Sequence, residues 1–467
     1  MNLTRREFAK ESLAALGFLA LPGGLYAAPS GWKPKKKPNL VFGILSDTHL
    51  MVEWDGKSLY RTMTFDYVRN AFKLFKAHGI DAFVHLGDAA HRGCVREWEF
   101  HKELFDDVFG KRGTGNRERG TGVPEKIIIV GNHEYFGNDA RIKKIWPDQK
   151  AWAGNAIRAD VARHYERVWG EPFAEILHKE VKGFNFFGRH WKTPESAFSD
   201  FVNAHAGECA LSGAKPFFLL SHVRNHFKCR ADLKAFPNAL AFFGHWHQSN
   251  ADWKSIYHSD GLFPEICCGA CRHDGGNTLD ANESVLKARE TSSEKNYHSN
   301  KVPSRQAMVV SVYDDMVVFE RHEVGLGGKL GPDWVLPLGQ YKPHPFTRGE
   351  LKKVIGSPEF PPKAKLVAEK ATKGAIKIKI PPADGNPDSR VFAYDVVVVG
   401  DDPKARLFKS VYFEGCNVAP GHEPNNGITE VEIPVAELPA GKNLTIAVRP
   451  VSSLGTKGKT LGTTFRV

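Results

Sequence analysis

The chain reads as an α/β protein followed by an all-β module, and three observations carry that reading. From Leu40 to Phe243 short apolar runs recur, each ending in polar or metal-binding residues. Helical patterns lie between the early runs, and strands alternating with helices predict a sheet layered between helices. Beyond Trp334 the pattern changes to short alternating segments separated by Pro and Gly, which predicts a sandwich of strands. A length of 467 residues exceeds one ordinary domain, so two are expected.

The first residues stand apart from the fold. Thr4-Arg5-Arg6-Glu7-Phe8-Ala9-Lys10 places a twin-arginine pair before an apolar stretch from Leu13 to Leu21. Small residues at Ala27-Ala28 follow, although Leu25 and Tyr26 are larger than a cleavage site prefers. The order fits a twin-arginine-type signal peptide over residues 1–28. Such a signal exports folded proteins across the bacterial inner membrane, so the twin-arginine translocase is an expected partner and the periplasm or the exterior the expected location. The apolar stretch is too short for a comfortable transmembrane helix, and no stable membrane span is expected. Hydrophobic residues at 42% and charged residues at 25% exclude a disordered chain. The net charge of +11 favours anionic substrates at long range. Part of it sits in Lys33, Lys35, Lys36 and Lys37, where a solvated face is expected, so no specific nucleic-acid partner is inferred.

The runs Leu40 to Leu45, Ala82 to Leu86, Ile127 to Val130, Phe217 to Leu220 and Ala239 to Phe243 read as strands buried on both faces. Phe65, Val68, Phe72 and Phe75 mark one helix face, with Gly79 as its stop. Trp98, Leu104, Phe105 and Val108 suggest a second helix before Gly110. Residues 138–189 are expected to form a long insertion with helical stretches that covers or borders the site. Cys267, Cys268 and Cys271 follow an apolar segment and read as small thiols on a buried strand, since no second Cys or His pair completes a zinc set. Ala307 to Val310 and Met316 to Glu320 predict a hairpin that closes the first domain, over residues 38–340. Prolines mark a linker at 341–357. In 358–467 Ile376, Ile378 and Ile380 alternate with lysines, and Val391 to Val399, Thr429 to Ile433 and Leu444 to Val448 add strands. In pattern this resembles a fibronectin type III-like β-sandwich.

Five pieces carry chemistry. In Asp47-Thr48-His49 the side chains two apart can face one cation. Gly87-Asp88 presents a carboxylate at a strand end, with two oxygens for two ions. Asn132 and His133 follow the third run, His222 the fourth, and His245 and His247 the fifth. Ligands sites of α/β sheets gather beyond the carboxyl ends of strands. Mixed oxygen and imidazole ligands suit zinc, manganese or iron rather than calcium.

The order DxH, GD, GNHE, a strand-borne His and GHxH resembles the calcineurin-like metallophosphoesterases, over about Leu40 to Glu323. The resemblance implies a four-layer α/β/β/α sandwich and a centre of two divalent or trivalent metal ions (Fe, Mn or Zn). It assigns Asp47, His49 and His247 to the first metal, Asn132, His222 and His245 to the second, Asp88 to the bridge, and His133 to the general acid. The expected activity is hydrolysis of phosphate mono- or diesters, small or polymeric, by a hydroxide between the two metals. Serine/threonine phosphatases of this superfamily carry Asp where His91 stands, and purple acid phosphatases begin with DxG, so the chain fits neither subgroup. His91 can be a support for a ligand, an added ligand, a substrate contact or an ordinary residue at a helix start. Arg92 matches a phosphate-binding Arg or is plain surface. Two rival readings remain: a nucleotide pyrophosphatase, and a cell-envelope binding protein with a structural metal site.

Overall fold

The computed structural model describes residues 36–50, 64–91, 95–110, 122–135, 156–225, 227–233, 238–251, 253–257, 263–271, 305–338, 356–371, 374–383 and 389–467, with shorter pieces at 19–20, 26–27, 34, 52–54, 59–61, 93 and 236. The expected signal peptide lies mostly outside the described residues. Among those described, no helix is long and apolar enough to cross a membrane. The chain divides into two compact units, one built mainly from residues 1–250, 255–274 and 304–347, the other mainly from 348–467.

The first unit has two sheets. In one, Leu40–Leu45 pairs in parallel with Ala82–His85, which pairs in parallel with Glu125–Ile128. The hairpin Gln306–Val312 and Met316–Glu323 extends this sheet antiparallel from Leu40–Leu45, and Trp334–Pro337 follows. In the other, Phe217–Ser221 lies in parallel between Phe184–Arg189 and Ala239–Phe243, and Glu265–Cys267 adds to the latter. The sheets face each other through Phe42, whose ring lies 5.3, 4.8 and 5.9 Å from those of Phe186, Phe218 and Phe242. Period-2 alternation turns Val41 and Leu45 the other way, into a core shared with Thr64–His78, Val95–Phe109 and Ala156–Trp169. Against the second sheet, Phe198 and Val202 of Glu195–Ala204 pack on Phe187 and Phe217. The layers are therefore α/β/β/α.

One expectation needs correction. The third strand is Glu125–Ile128 rather than Ile127 to Val130. Ile129 still bonds to the His85 carbonyl, but the Val130 N–H turns to His190 Nδ1 at 2.9 Å and leaves the ladder. The insertion carries strands beside its helical stretch. After the helix Ala156–Trp169 it supplies the strands Ile176–Val181 and Phe184–Arg189, and all six residues of the latter are buried. Residues 136–155 lie outside the described residues. The three cysteines are fully buried, with Cys267 ending its strand.

The second unit is all-β and antiparallel. One sheet orders Val367–Ala371, Ala375–Ile380 and Thr429–Pro434; the other orders Arg406–Tyr412, Val391–Val399, Asn443–Ser452 and Leu461–Arg466. Ile376, Ile378 and Ile380 pack with Val396, Val398, Ile446 and Val448 in the core between them.

Candidate metal centre

Each of the five strands that were expected to carry ligands ends at the same place. Asp47 follows Leu40–Leu45, Asp88 follows Ala82–His85, Asn132 and His133 follow Glu125–Ile128, His222 follows Phe217–Ser221, and His245 and His247 follow Ala239–Phe243. The backbone there is forced. Asp47, His49, Asp88, His245 and His247 have φ of 50°, 42°, 56°, 64° and 48°, a region that costs non-glycine residues on the order of 1–3 kcal/mol each. Close approach explains the neighbouring glycines. A Cβ on Gly244 would sit 1.8 Å from Ser46 Oγ, and one on Gly131 would sit 2.2 Å from Asp88 Oδ1.

The side chains gather into two groups that share Asp88. In the first, His247 Nε2 lies 3.2 Å and His49 Nε2 3.8 Å from Asp47 Oδ1, and the two ring nitrogens are 3.2 Å apart. In the second, Asn132 Oδ1 lies 2.8 Å from His222 Nε2 and 3.0 Å from His245 Nδ1, and these nitrogens are again 3.2 Å apart. Asp88 Oδ2 reaches both, 3.7 Å from His49 Nε2 and 3.3 Å from His222 Nε2.

The donor set fits cations. Each carboxylate spends one oxygen on the chain: Asp47 Oδ2 accepts from Ser46 Oγ at 2.5 Å and the His245 N–H at 2.9 Å, and Asp88 Oδ1 accepts from the His133 N–H at 2.8 Å. The other oxygens face the imidazoles, and among the described residues Asp47 Oδ1 is buried without a well-aligned hydrogen bond. His222 Nδ1 lies 2.8 Å from the Leu86 carbonyl, which can only accept, so Nδ1–H donates, and in the neutral ring Nε2 turns a lone pair toward Asn132 Oδ1. Lone pairs crowded in this way are what a cation holds together, and a histidine fixed through its other nitrogen is the usual support of a metal ligand.

The electrostatics are correspondingly steep. Burial opposes the charged form of His222, yet Asp88 and then Asp47 hold it up to about 9. Burial, aided by His222, pushes His245 down to about 4. Asp47 is held below the ordinary carboxylate range: burial resists this, and His247 overcomes it.

Sequence reasoning missed two supports, Ser46 and Glu134. Glu134 is buried and accepts three backbone N–H bonds, from Asp88 at 3.0 Å, Ala90 at 2.9 Å and Gly131 at 2.6 Å. It thereby ties the Asp88 loop to the Asn132 loop. Burial and the Asp88 carboxylate push it up to about 8, while the backbone donors pull the other way. Its place in Gly131-Asn132-His133-Glu134 was the available signal. His91 does reach the site: its ring lies 5.5 Å from those of His49 and His133, and its carbonyl receives His133 Nδ1 at 2.7 Å. Arg92 lies outside the described residues. Arg189 is structural, bonded to Asn225, Thr193 and Glu195. Trp191 is different, with its ring 5.7 Å from His222 and 5.2 Å from His245.

A family model described as calcineurin-like phosphoesterase matches residues 40–249. The chain matches none of the curated proteins. Among solved structures it is similar to a dimetal phosphatase from Danio rerio, at 11% identity and TM-score 0.35, over 64% of this chain and 99% of that one. A purple acid phosphatase from yellow lupin is similar at 12% identity and TM-score 0.41, over 65% and 55% of the two chains. A 5'-nucleotidase precursor from Thermus thermophilus is similar at 10% identity and TM-score 0.31, over 70% and 62%. The family match and the paired groups of His and Asp indicate a dinuclear metal site. Residues 40–249, which carry all of the side chains gathered here, are thus the part of the chain that matches the calcineurin-like phosphoesterase family model.

Proposed function

We propose that the chain hydrolyses phosphate mono- or diesters in the bacterial periplasm, after export by its twin-arginine signal. The observation that carries the reaction is the position of Asp88 Oδ2 between two ligand groups, with His133 Nε2 3.9 Å away. Asp47, His49 and His247 would hold one ion and Asn132, His222 and His245 the other, with Asp88 common to both. When bound, two cations supply charge stabilisation for a phosphoryl group and lower the pKa of water. The chain's own residues do the rest. His133 donates Nδ1–H to the His91 carbonyl, which leaves Nε2 to hold a proton and pass it to the departing oxygen. His91 is therefore a positioning residue, and Glu134 holds the loops of Asp88 and Asn132 in register. Trp191, over two ligand rings, borders the site where a leaving group would lie.

We further propose domain limits of 38–340 and 358–467, with a linker at 341–357. A fibronectin type III-like reading of the C-terminal module is supported by its three- and four-stranded antiparallel sheets.

The test compares an aryl phosphate monoester with the matching aryl diester on mature, metal-loaded protein. Preference for the diester makes the protein a phosphodiesterase, and preference for the monoester makes it a phosphatase. Turnover of neither, with both metals bound, sinks this general reading and favours a binding protein.

A further inference from the structure

A second cluster of metal-ligating groups lies in the first unit, built by elements that contribute none of the ligands above. Glu320 and His322 are two apart on Met316–Glu323, so their side chains leave the same face of the strand. His78 is the last residue of the helix Thr64–His78. Its Nδ1 lies 2.9 Å from the Leu74 carbonyl, so Nδ1–H donates and in the neutral ring Nε2 carries the lone pair. That nitrogen faces Glu320 Oε2 at 3.6 Å, and His322 Nε2 faces the same oxygen at 3.5 Å. The two rings are 5.7 Å apart between centroids.

These separations are too long for good hydrogen bonds. They match the edge of a tetrahedron around an ion with nitrogen and oxygen ligands at about 2.1 Å, which is roughly 3.4 Å. A second observation points the same way. His322 is 9% exposed, and its Nε2 is buried with no hydrogen-bond partner among the described residues. The carbonyl behind His78 Nδ1 is the kind of support that orients a metal-bound imidazole.

We propose that His78 Nε2, His322 Nε2 and Glu320 Oε2 form a mononuclear site for a zinc-like divalent ion that pins the end of the helix to the strand. Two imidazoles and a carboxylate are a zinc donor set, with the fourth position left to water. Lys329 is the competitor. Its Nζ lies 2.7 Å from Glu320 Oε2 and 2.9 Å from Asp333 Oδ1. Its side chain is 44% exposed, so it can turn to Asp333 when an ion takes the Glu320 oxygen.

The test counts zinc per chain by elemental analysis after saturation and dialysis, in the full-length protein and in His322→Ala and His78→Gln. The second variant sits at a partly exposed helix end and guards against a folding failure of the first. Both variants should hold one zinc fewer than the parent, keep the parent's phosphoester turnover, and show a smaller zinc-dependent rise in melting temperature than the parent. The difference of one ion is read whatever the dinuclear centre binds, so failure here and failure of the functional reading are separable. Equal zinc counts in parent and variants overturn the site and leave a Lys329–Glu320 ion pair with two neighbouring histidines.

Discussion

In the first unit five strands end in Asp, Asn and His side chains that crowd together, and at three of those ends the backbone takes positive φ. In the second unit the strands Ala375–Ile380 and Thr429–Pro434 alternate buried with more exposed residues. Ile376, Ile378 and Ile380 face inward, while Lys377 and Lys379 meet Glu430 and Glu369 across the sheet at 3.3 and 2.8 Å. Even the buried Asp395 carboxylate is answered within the unit, by Lys457 at 2.8 Å and Arg449 at 3.4 Å. Both units bury charge. What separates them is that the second neutralises its charge with its own cations, whereas the first turns several lone pairs and a carboxylate toward one point. An arrangement of the first kind is stable only with a partner from outside the chain, and it is there that backbone strain accumulates.

The largest expected effect breaks the first unit's arrangement at its common point. Asp88→Asn keeps the shape and a residue that tolerates positive φ, but removes the charge shared by the two groups. Turnover of an aryl phosphate should fall by about 5 kcal/mol in activation free energy, nearly four orders of magnitude, and metal content should drop. Activity near the parent's would mean that Asp88 does not serve both groups. Next comes His133→Ala, expected to lower turnover by roughly 10²–10³-fold with metal content unchanged. A loss of metal instead would make His133 a ligand, grouped with His49 and His91, rather than the proton donor.

Much of this contrast was legible in the residues. A polar group at the end of an apolar run is costly without a partner, so five such ends in order marked both the strands and the site. The two strands Ile176–Val181 and Phe184–Arg189 escaped because their residues give no clean period: His178, Lys179 and Glu180 interrupt the first, and Asn185 and Gly188 the second. Burial by the sheet, not local preference, makes them strands. The supporting roles of Glu134, visible only as a motif position, and of Ser46 escaped for another reason. Their partners are backbone N–H groups and a carboxylate whose positions exist only after the loops have folded. The pairing of His78 with His322 spans 244 residues, and no local pattern announces it.

The second unit should fail in the opposite manner. Ile378→Ala empties a fully buried position and should destabilise the protein by about 2–5 kcal/mol, read by chemical denaturation, with aryl phosphate turnover unchanged while the variant remains folded. If turnover instead fell with stability intact, the C-terminal module would have a part in the chemistry, and the division drawn above would be wrong.

The smallest effect asks whether buried polarity in the first unit always belongs to the site. His101 is fully buried on the helix Val95–Phe109, its ring 5.5 Å from Phe72, 5.7 Å from Trp169 and 4.9 Å from His85. Among the described residues neither ring nitrogen has a hydrogen-bond partner. Burial pushes it down to about 3, and burial also holds His85 well below its ordinary value. The unfolded chain therefore takes up a proton at His101 below pH 6.5 while the folded chain does not until about 3, so stability falls as pH falls through that window. At pH 4 the loss from this one group is about 3 kcal/mol, at 1.36 kcal/mol per unit. His101→Phe removes it. Whatever constant offset the larger ring brings, the drop in stability between pH 8 and pH 4 should shrink by about that amount in denaturant titrations. An unchanged drop would show that His101 finds a proton partner in solution, and that polar burial in this unit is not reserved for the metal centre.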